Sequence, residues 1–251
     1  MIKAVDKALT ILDVLEKEKL AGVTEIANII GVNKSSAHRI LATLETKELV
    51  EKDEATKKYK LGLGFLRYST SVLENIEISK VAKPFLEDLV GFTQESAHLC
   101  VLSKSKNKAV FVEQKKSSEI ISISGKIGDE EPVYCSAVGK NLIAFLPEEE
   151  LKRIIDTIEF KPFTLRTITS KQALIAHLEK IREQGYAVDD EEIYNGVRCV
   201  AAPVRNHKGK VIASVGVSGP ANRIQLNDIE KYASAVKDIA AKISRRLGYK
   251  S

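Results

Sequence analysis

Between Asn33 and Leu44 the chain carries Lys34, Ser35, Ser36, His38 and Arg39 and no acidic residue, the next being Glu45. In a chain with 34 aspartates and glutamates that gap is informative. A surface that meets the phosphates of a nucleic-acid duplex must keep carboxylates away from them. An arginine there can make paired hydrogen bonds to a guanine edge, and serine hydroxyls can meet phosphates or bases. Asn33, Lys34, Ser35, Ser36, His38 and Arg39 are therefore candidate DNA-contacting residues. A second basic group follows at Lys52, Lys57, Lys58 and Lys60. Lys57 and Lys58 are candidates for backbone contacts that add affinity without sequence information. The plainer alternative is a three-helix scaffold with solvated lysines, and His38 alone reads as a solvent-facing histidine.

Other residues could do different chemistry. His98, Cys100, Cys135 and Cys199 are all of metal-ligand type, and His98-x-Cys100 would share one face of a strand. A cysteine beside His98 could also form a nucleophile–base pair. Neither idea finds local support. Gly216-Val217-Ser218-Gly219 lacks the spacing of a nucleophile elbow. Gly62-x-Gly64 lacks the third glycine of a dinucleotide fingerprint. Scattered cysteines are commonly small buried hydrophobes. No catalytic residue, metal ligand or cofactor site is assigned, and the expectation is that the chain is not an enzyme.

Hydrophobic periodicity supplies the elements that must position these groups. Ala8, Ile11, Leu12 and Leu15 predict an amphipathic helix over Val5–Glu16. Thr24 is placed to cap a short helix that Gly31 stops. Asn33 or Ser35 can cap the next, which buries Ala37, Ile40, Leu41 and Leu44. Two short strands around Asp53-Glu54-Ala55-Thr56 make a wing, closed by Gly62 and Gly64. A helical stretch Phe65–Ile78, with Leu66, Ser69, Val72, Leu73 and Ile76 on one face, predicts a linker, and Pro84 sits just inside the start of a further helix that continues to Val90. The period then changes to two at Ala97–Leu102, Ala109–Glu113 and Ile120–Ser124, predicting strands. Helices are expected over Ser136–Leu146, Glu148–Ile158 and Ser170–Gln184. Strands return at Tyr186–Asp190, Val197–Val204 and Val211–Ser218, with a hairpin turn at Asn206–Gly209. A long amphipathic helix spans Gln225–Leu247. The fold class is α+β: residues 1–64 a winged helix-turn-helix, 65–83 a linker helix, and 84–251 a domain with a mostly antiparallel sheet.

Bulk properties narrow the class. The 251 residues suit two domains, and 44% hydrophobic with 29% charged residues fits a globular chain rather than a disordered one. Apolar runs such as Leu142–Leu146 are too short to cross a bilayer. Three dispersed cysteines argue against a disulfide framework and for a reducing cytoplasm. The net charge of +5 permits an anionic partner. Its distribution matters more, because residues 1–66 hold 11 basic and 10 acidic residues.

Three strings in the second half are distinctive: Gly128-Asp129-Glu130-Glu131-Pro132 running to Ser136-Ala137-Val138-Gly139-Lys140; Gly185–Glu192 followed by Gly196-Val197-Arg198-Cys199-Val200-Ala201-Ala202-Pro203-Val204; and Ile212–Pro220. In this order behind a winged helix-turn-helix they resemble the IclR family of transcription regulators, from about Lys3 to Tyr249. The resemblance implies a GAF-like effector domain, a homodimer or a tetramer built as a dimer of dimers, and a palindromic double-stranded DNA operator. With apolar runs this short, no membrane association is expected. The resemblance also implies a small organic-acid or sugar-acid effector, with pocket residues Gly128, Asp129, Asp189, Val197, Cys199, Gly216 and Ser218. Asp129 and Gly216 depart from the family pattern, where a small residue and a serine are usual. Those departures lean toward a hydroxylated ligand.

Overall fold

The computed structural model describes residues 2–74, 77–105 and 107–250. The chain divides into two compact units, Met1–Asn75 and Ile76–Ser251.

The first unit holds α1 (Lys3–Glu18), α2 (Val23–Ile29), α3 (Lys34–Thr46), the two-stranded β1 (Val50–Lys52) and β2 (Tyr59–Leu61), and α4 (Gly64–Glu74). Its core joins Ile11 and Leu15 of α1, Ile26 of α2, Leu41 and Leu44 of α3, and Val50 and Tyr59 of the wing. α2 starts one residue before Thr24: Gly22 is its N-cap, and the Gly22 N–H donates to the Glu25 carboxylate at 2.6 Å. The expected Thr24 cap is replaced because a carboxylate in the first turn reaches back to the same orphan donor. α3 is capped by Asn33, whose Oδ1 accepts from the Ser36 N–H at 2.8 Å. Asn33→Ala is expected to cost about 1 kcal/mol locally. Amide exchange at Ser36 would then speed up about fivefold; an unchanged rate would show that the cap carries no load.

Of the face expected for a linker helix, Leu66 and Ser69 are exposed on α4, and Ile76 lies outside the described residues. The following helix, α5 (Glu77–Thr93), carries Pro84 in its interior rather than at its start. Pro84 is exposed, so the carbonyl it leaves unbonded faces water, which makes a mid-helix proline tolerable.

The second unit is built on one six-stranded antiparallel sheet in the order β5-β4-β3-β8-β7-β6: β3 (Ser96–Leu102), β4 (Lys108–Lys115), β5 (Glu130–Pro132), β6 (Ala187–Asp190), β7 (Val197–Arg205) and β8 (Val211–Pro220). Period-two alternation sends Ala213, Val215 and Val217 of β8 toward α5 and the C-terminal α9 (Ile229–Arg246). The opposite face, with Cys100, Phe111 and Ala201, packs on α6 (Ala137–Ala144), α7 (Glu148–Thr157) and α8 (Lys171–Gln184). Ser136 caps α6 by accepting from the Gly139 N–H at 3.0 Å, and Gly185 ends α8 at φ +77°. Ile120–Ser124 is not a strand. β5 already pairs with β4 along Lys108–Val110, and Ile120 and Ile121 are left exposed.

Candidate functional site

Two sites emerge, one in each unit. On α3 the buried residues Ala37, Leu41 and Leu44 define one face. Ser35, Arg39 and Ala42 recur at helical spacing on the opposite side. Lys34, Ser35, His38 and Arg39 are exposed, and Ser36 is half-buried. No described residue pairs with the side chains of Lys34, His38 or Arg39, whereas the Asn33 Oδ1 is committed to its cap. The wing lysines differ. Lys57 lies 2.8 Å from Glu54, Lys58 3.8 Å from Glu25 and Lys60 3.3 Å from Glu51, while Lys52 sits 5.9 Å from the Tyr59 ring centroid. The wing is locally neutral, and a phosphate would have to displace these carboxylates.

In the second unit a cavity of about 310 Å³ opens on the α6 side of the sheet. Asp129, Asp189, Val197, Cys199 and Ser218 line it, bringing together five of the seven positions the resemblance implied. Gly128 and Gly216 are not in the wall. Gly128 adopts a φ of +92°, and its N–H donates to the Phe111 carbonyl at 2.8 Å. A Cβ at Gly216 would stand 3.0 Å from Ala201 Cβ and the Val200 carbonyl and 3.1 Å from the buried His98 Nε2, so this glycine relieves crowding between β7 and β3. Burial holds His98 near pKa 4, hence neutral. Among the described residues no cluster of His, Cys, Asp and Glu could hold a metal ion.

Sequence reasoning missed other wall residues: Phe111, Ile123, Glu130, Glu131, Ile193 and Tyr194 also contribute. Gly125 lies so close to Phe111 that a Cβ would be 2.7 Å from its ring, fixing the loop against the aromatic floor. That loop is tied down on both flanks. Ser117 Oγ donates to the Gln94 carbonyl at 2.6 Å, Arg223 to the Ile121 carbonyl at 2.8 Å, and the Lys126 N–H to Asp129 Oδ2 at 2.7 Å. Cys199 Sγ and Ser218 Oγ sit 3.1 Å apart on paired strands.

Behind the wall is a buried ion pair. Lys140, fully buried on α6, donates to Glu192 Oε1. The acidic run Asp189–Glu192 is thus no solvated turn. Asp189 Oδ1 accepts from the Glu192 N–H at 2.7 Å, Asp190 pairs with Arg198 and Arg166, and Glu191 Oε2 accepts from the Gly196 N–H at 2.8 Å. Burial pushes Asp189 up to about 8, opposed by the nearby Lys140 charge and helped by Glu192. Burial likewise lifts Glu131 to about 7, and raises Glu192 and the Cys100, Cys135 and Cys199 thiols. A cleft of about 590 Å³ beside α7 is larger, but its charged lining of Glu149, Glu150 and Arg153 contains no buried group. Convergent, buried polar groups mark the smaller cavity as the candidate binding site.

The arrangement agrees with what the chain is similar to. Residues 4–54 match the IclR helix-turn-helix domain, and residues 70–245 match the C-terminal domain of the bacterial transcriptional regulator IclR. The HTH-type transcriptional regulator KdgR of Escherichia coli (strain K12) is 33% identical over 99% of this chain and 94% of its own length. XynR of the same organism, also an HTH-type transcriptional regulator, is 33% identical over 99% of this chain and 98% of its own. Among solved structures, the IclR of Thermotoga maritima superposes with a TM-score of 0.80 at 34% identity, covering 99% of this chain and 100% of that one. An IclR-type regulator from Alicyclobacillus acidocaldarius gives 0.84 at 27% identity, covering 99% and 100%. These relatives are transcriptional regulators, not enzymes. No helix among the described residues is long and apolar enough to cross a membrane.

Proposed function

The chain belongs to the IclR family of bacterial transcriptional regulators, and from that premise we propose that its 310 Å³ cavity binds the effector, a small hydroxylated organic acid or sugar acid. The observation that carries this reading is the convergence of Asp129, Asp189, Val197, Cys199 and Ser218, far apart in sequence, on one cavity. Carboxyl groups there accept from ligand hydroxyls, Ser218 donates or accepts, and Phe111, Ile123 and Val197 cover the carbon skeleton.

In this reading two copies of the chain place two α3 helices in successive major grooves of a palindromic operator. Asn33, Lys34, Ser35, Ser36, His38 and Arg39 face that DNA, and Lys57 and Lys58 meet its backbone. Effector binding between Asp189 and Ser218 repositions the Ser117–Asp129 loop and biases one of two dimer or tetramer arrangements, and with it operator affinity. The protein works in the cytoplasm. Residues 65–83 serve as the link between DNA-binding residues 1–64 and effector-binding residues 84–251.

The test is thermal-shift screening of the full chain against organic and sugar acids, followed by operator titration with each hit. A ligand that binds only the native state raises the melting temperature, and the same ligand should shift operator affinity. Effector that saturates the cavity without changing operator affinity would refute the coupling. Lys58→Ala is a smaller probe: because Glu25 already competes for this lysine, binding to all sequences should weaken by about 0.5 kcal/mol, with a shallower salt dependence. Sequence-dependent loss, read by competition titration, would contradict that role.

A further inference from the structure

We infer that this cavity accepts its ligand's carboxylate only together with a proton, held by Asp189 or Glu131, so that the regulator responds to acid concentration weighted by pH. The inference rests on the hydroxy-acid reading above.

Its ground is the composition of the wall. Asp129, Glu130, Glu131 and Asp189 all line the cavity, and no lysine, arginine or histidine does. The cation packed behind it, Lys140 of α6, is already engaged by Glu192. Among the described residues none forms an ion pair with Asp189 or Glu131. The other titratable groups near them add no positive charge. Cys199 on β7, Cys100 on β3 and Cys135 before α6 stay as neutral thiols, raised by burial. Tyr194 brings a phenol, and His98 beneath Phe111 is neutral above about pH 4.

An ionised ligand carboxylate entering this wall meets like charges unless a carboxyl there carries a proton. Protonated, the same carboxyl becomes a hydrogen-bond donor to the ligand. Geometry supplies the atom: Asp189 Oδ1 is held by the Glu192 N–H at 2.7 Å, which leaves Oδ2 for the proton. The free protein already leans this way, with burial lifting Asp189 to about 8 and Glu131 to about 7. The linkage sign follows. The bound form holds a proton that the free form loses as pH rises through those values, so affinity is level below about pH 7 and falls above it.

D-gluconate and D-glucitol provide matched probes, alike in chain length but ending in a carboxylate or a hydroxyl. Gluconate is fully ionised from pH 6.5 to 8.5, so its own titration does not contribute. Calorimetric titration of the full chain should show gluconate binding at least about fourfold weaker at pH 8.5 than at pH 6.5, with glucitol unchanged. Asp189→Asn combined with Glu131→Gln keeps donors that cannot ionise, and gluconate binding to this variant should be independent of pH. Its fold is checked by circular dichroism, and if it does not fold the wild-type profile decides alone. Gluconate binding that is flat with pH in the wild type, or that tightens as pH rises, overturns the proton requirement. So does a folded double variant that retains the decline. Failure of gluconate to bind at pH 6.5 overturns the hydroxy-acid reading itself.

Discussion

Lys140→Met is expected to destabilise the protein by about 3–5 kcal/mol at pH 7.5, because it leaves Glu192 charged and unpaired inside α6, α8 and the sheet. Lys140 is fully buried and Glu192 nearly so, and Glu192 Oε2 has no hydrogen-bond partner even in the intact pair. The ammonium is therefore what makes that carboxylate tolerable. It also opposes the burial that raises Asp189, so its removal drives both carboxyls toward the protonated form. A carboxyl with a folded-state pKa above its unfolded value binds more protons when folded, so stability falls as pH rises from about 4.5 toward the folded value. The deficit of Lys140→Met relative to wild type should accordingly shrink at pH 5. Urea unfolding followed by circular dichroism at pH 5.0 and 7.5 measures both points. Lys140→Met with Glu192→Leu should recover most of the loss, since an apolar pair of similar volume needs no charge balance. A single-variant loss under 1 kcal/mol at both pH values would show that water reaches the pair.

The pair also shows where sequence reading stops. Asn33, Gly31 and the wing were legible because caps and turns are written within a few residues of where they act. Lys140 and Glu192 stand 52 positions apart, and only the packing of α6 against the turn after β6 joins them. A hint was available: Lys140-Asn141 interrupts an otherwise apolar helix, and every residue of that helix proves buried. Ile120–Ser124 misled in the opposite way. Its alternation is that of a strand, but alternation specifies a strand only where a sheet edge and a core await it. Pro84 misled because a start signal and an exposed interior position look alike in sequence. The cavity was legible as five residues and not as a wall, since Phe111, Glu131 and Tyr194 reach it from segments with no shared pattern. The crowding around Gly216, from Ala201 and Val200 on β7 and His98 on β3, was not legible either, because only strand pairing brings those atoms together.

Arg39→Ala is expected to cost about 1–3 kcal/mol in operator binding while changing non-specific DNA binding far less. Arg39 is exposed on the α3 face opposite Leu41, and no carboxylate among the described residues holds its guanidinium. That separates it from Lys57, Lys58 and Lys60, each of which already has a carboxylate nearby. A cation without an internal partner loses little on transfer to DNA, so its full contact energy appears in binding. Its fork of donors matches the paired acceptors of one guanine edge, and the loss should concentrate at one base pair in each half-site. Arg39→Lys sharpens the point: it keeps the charge and the salt dependence but lacks the fork, so discrimination at that base should fall with overall affinity largely kept. Competition titrations against single-base operator variants read both effects. If Arg39→Ala instead weakens every sequence equally and lowers the salt slope by about one, Arg39 grips a phosphate and base reading passes to Ser35 and its neighbours. Arg39 is the one arginine of α3, so this single substitution tests the proposed base contact directly.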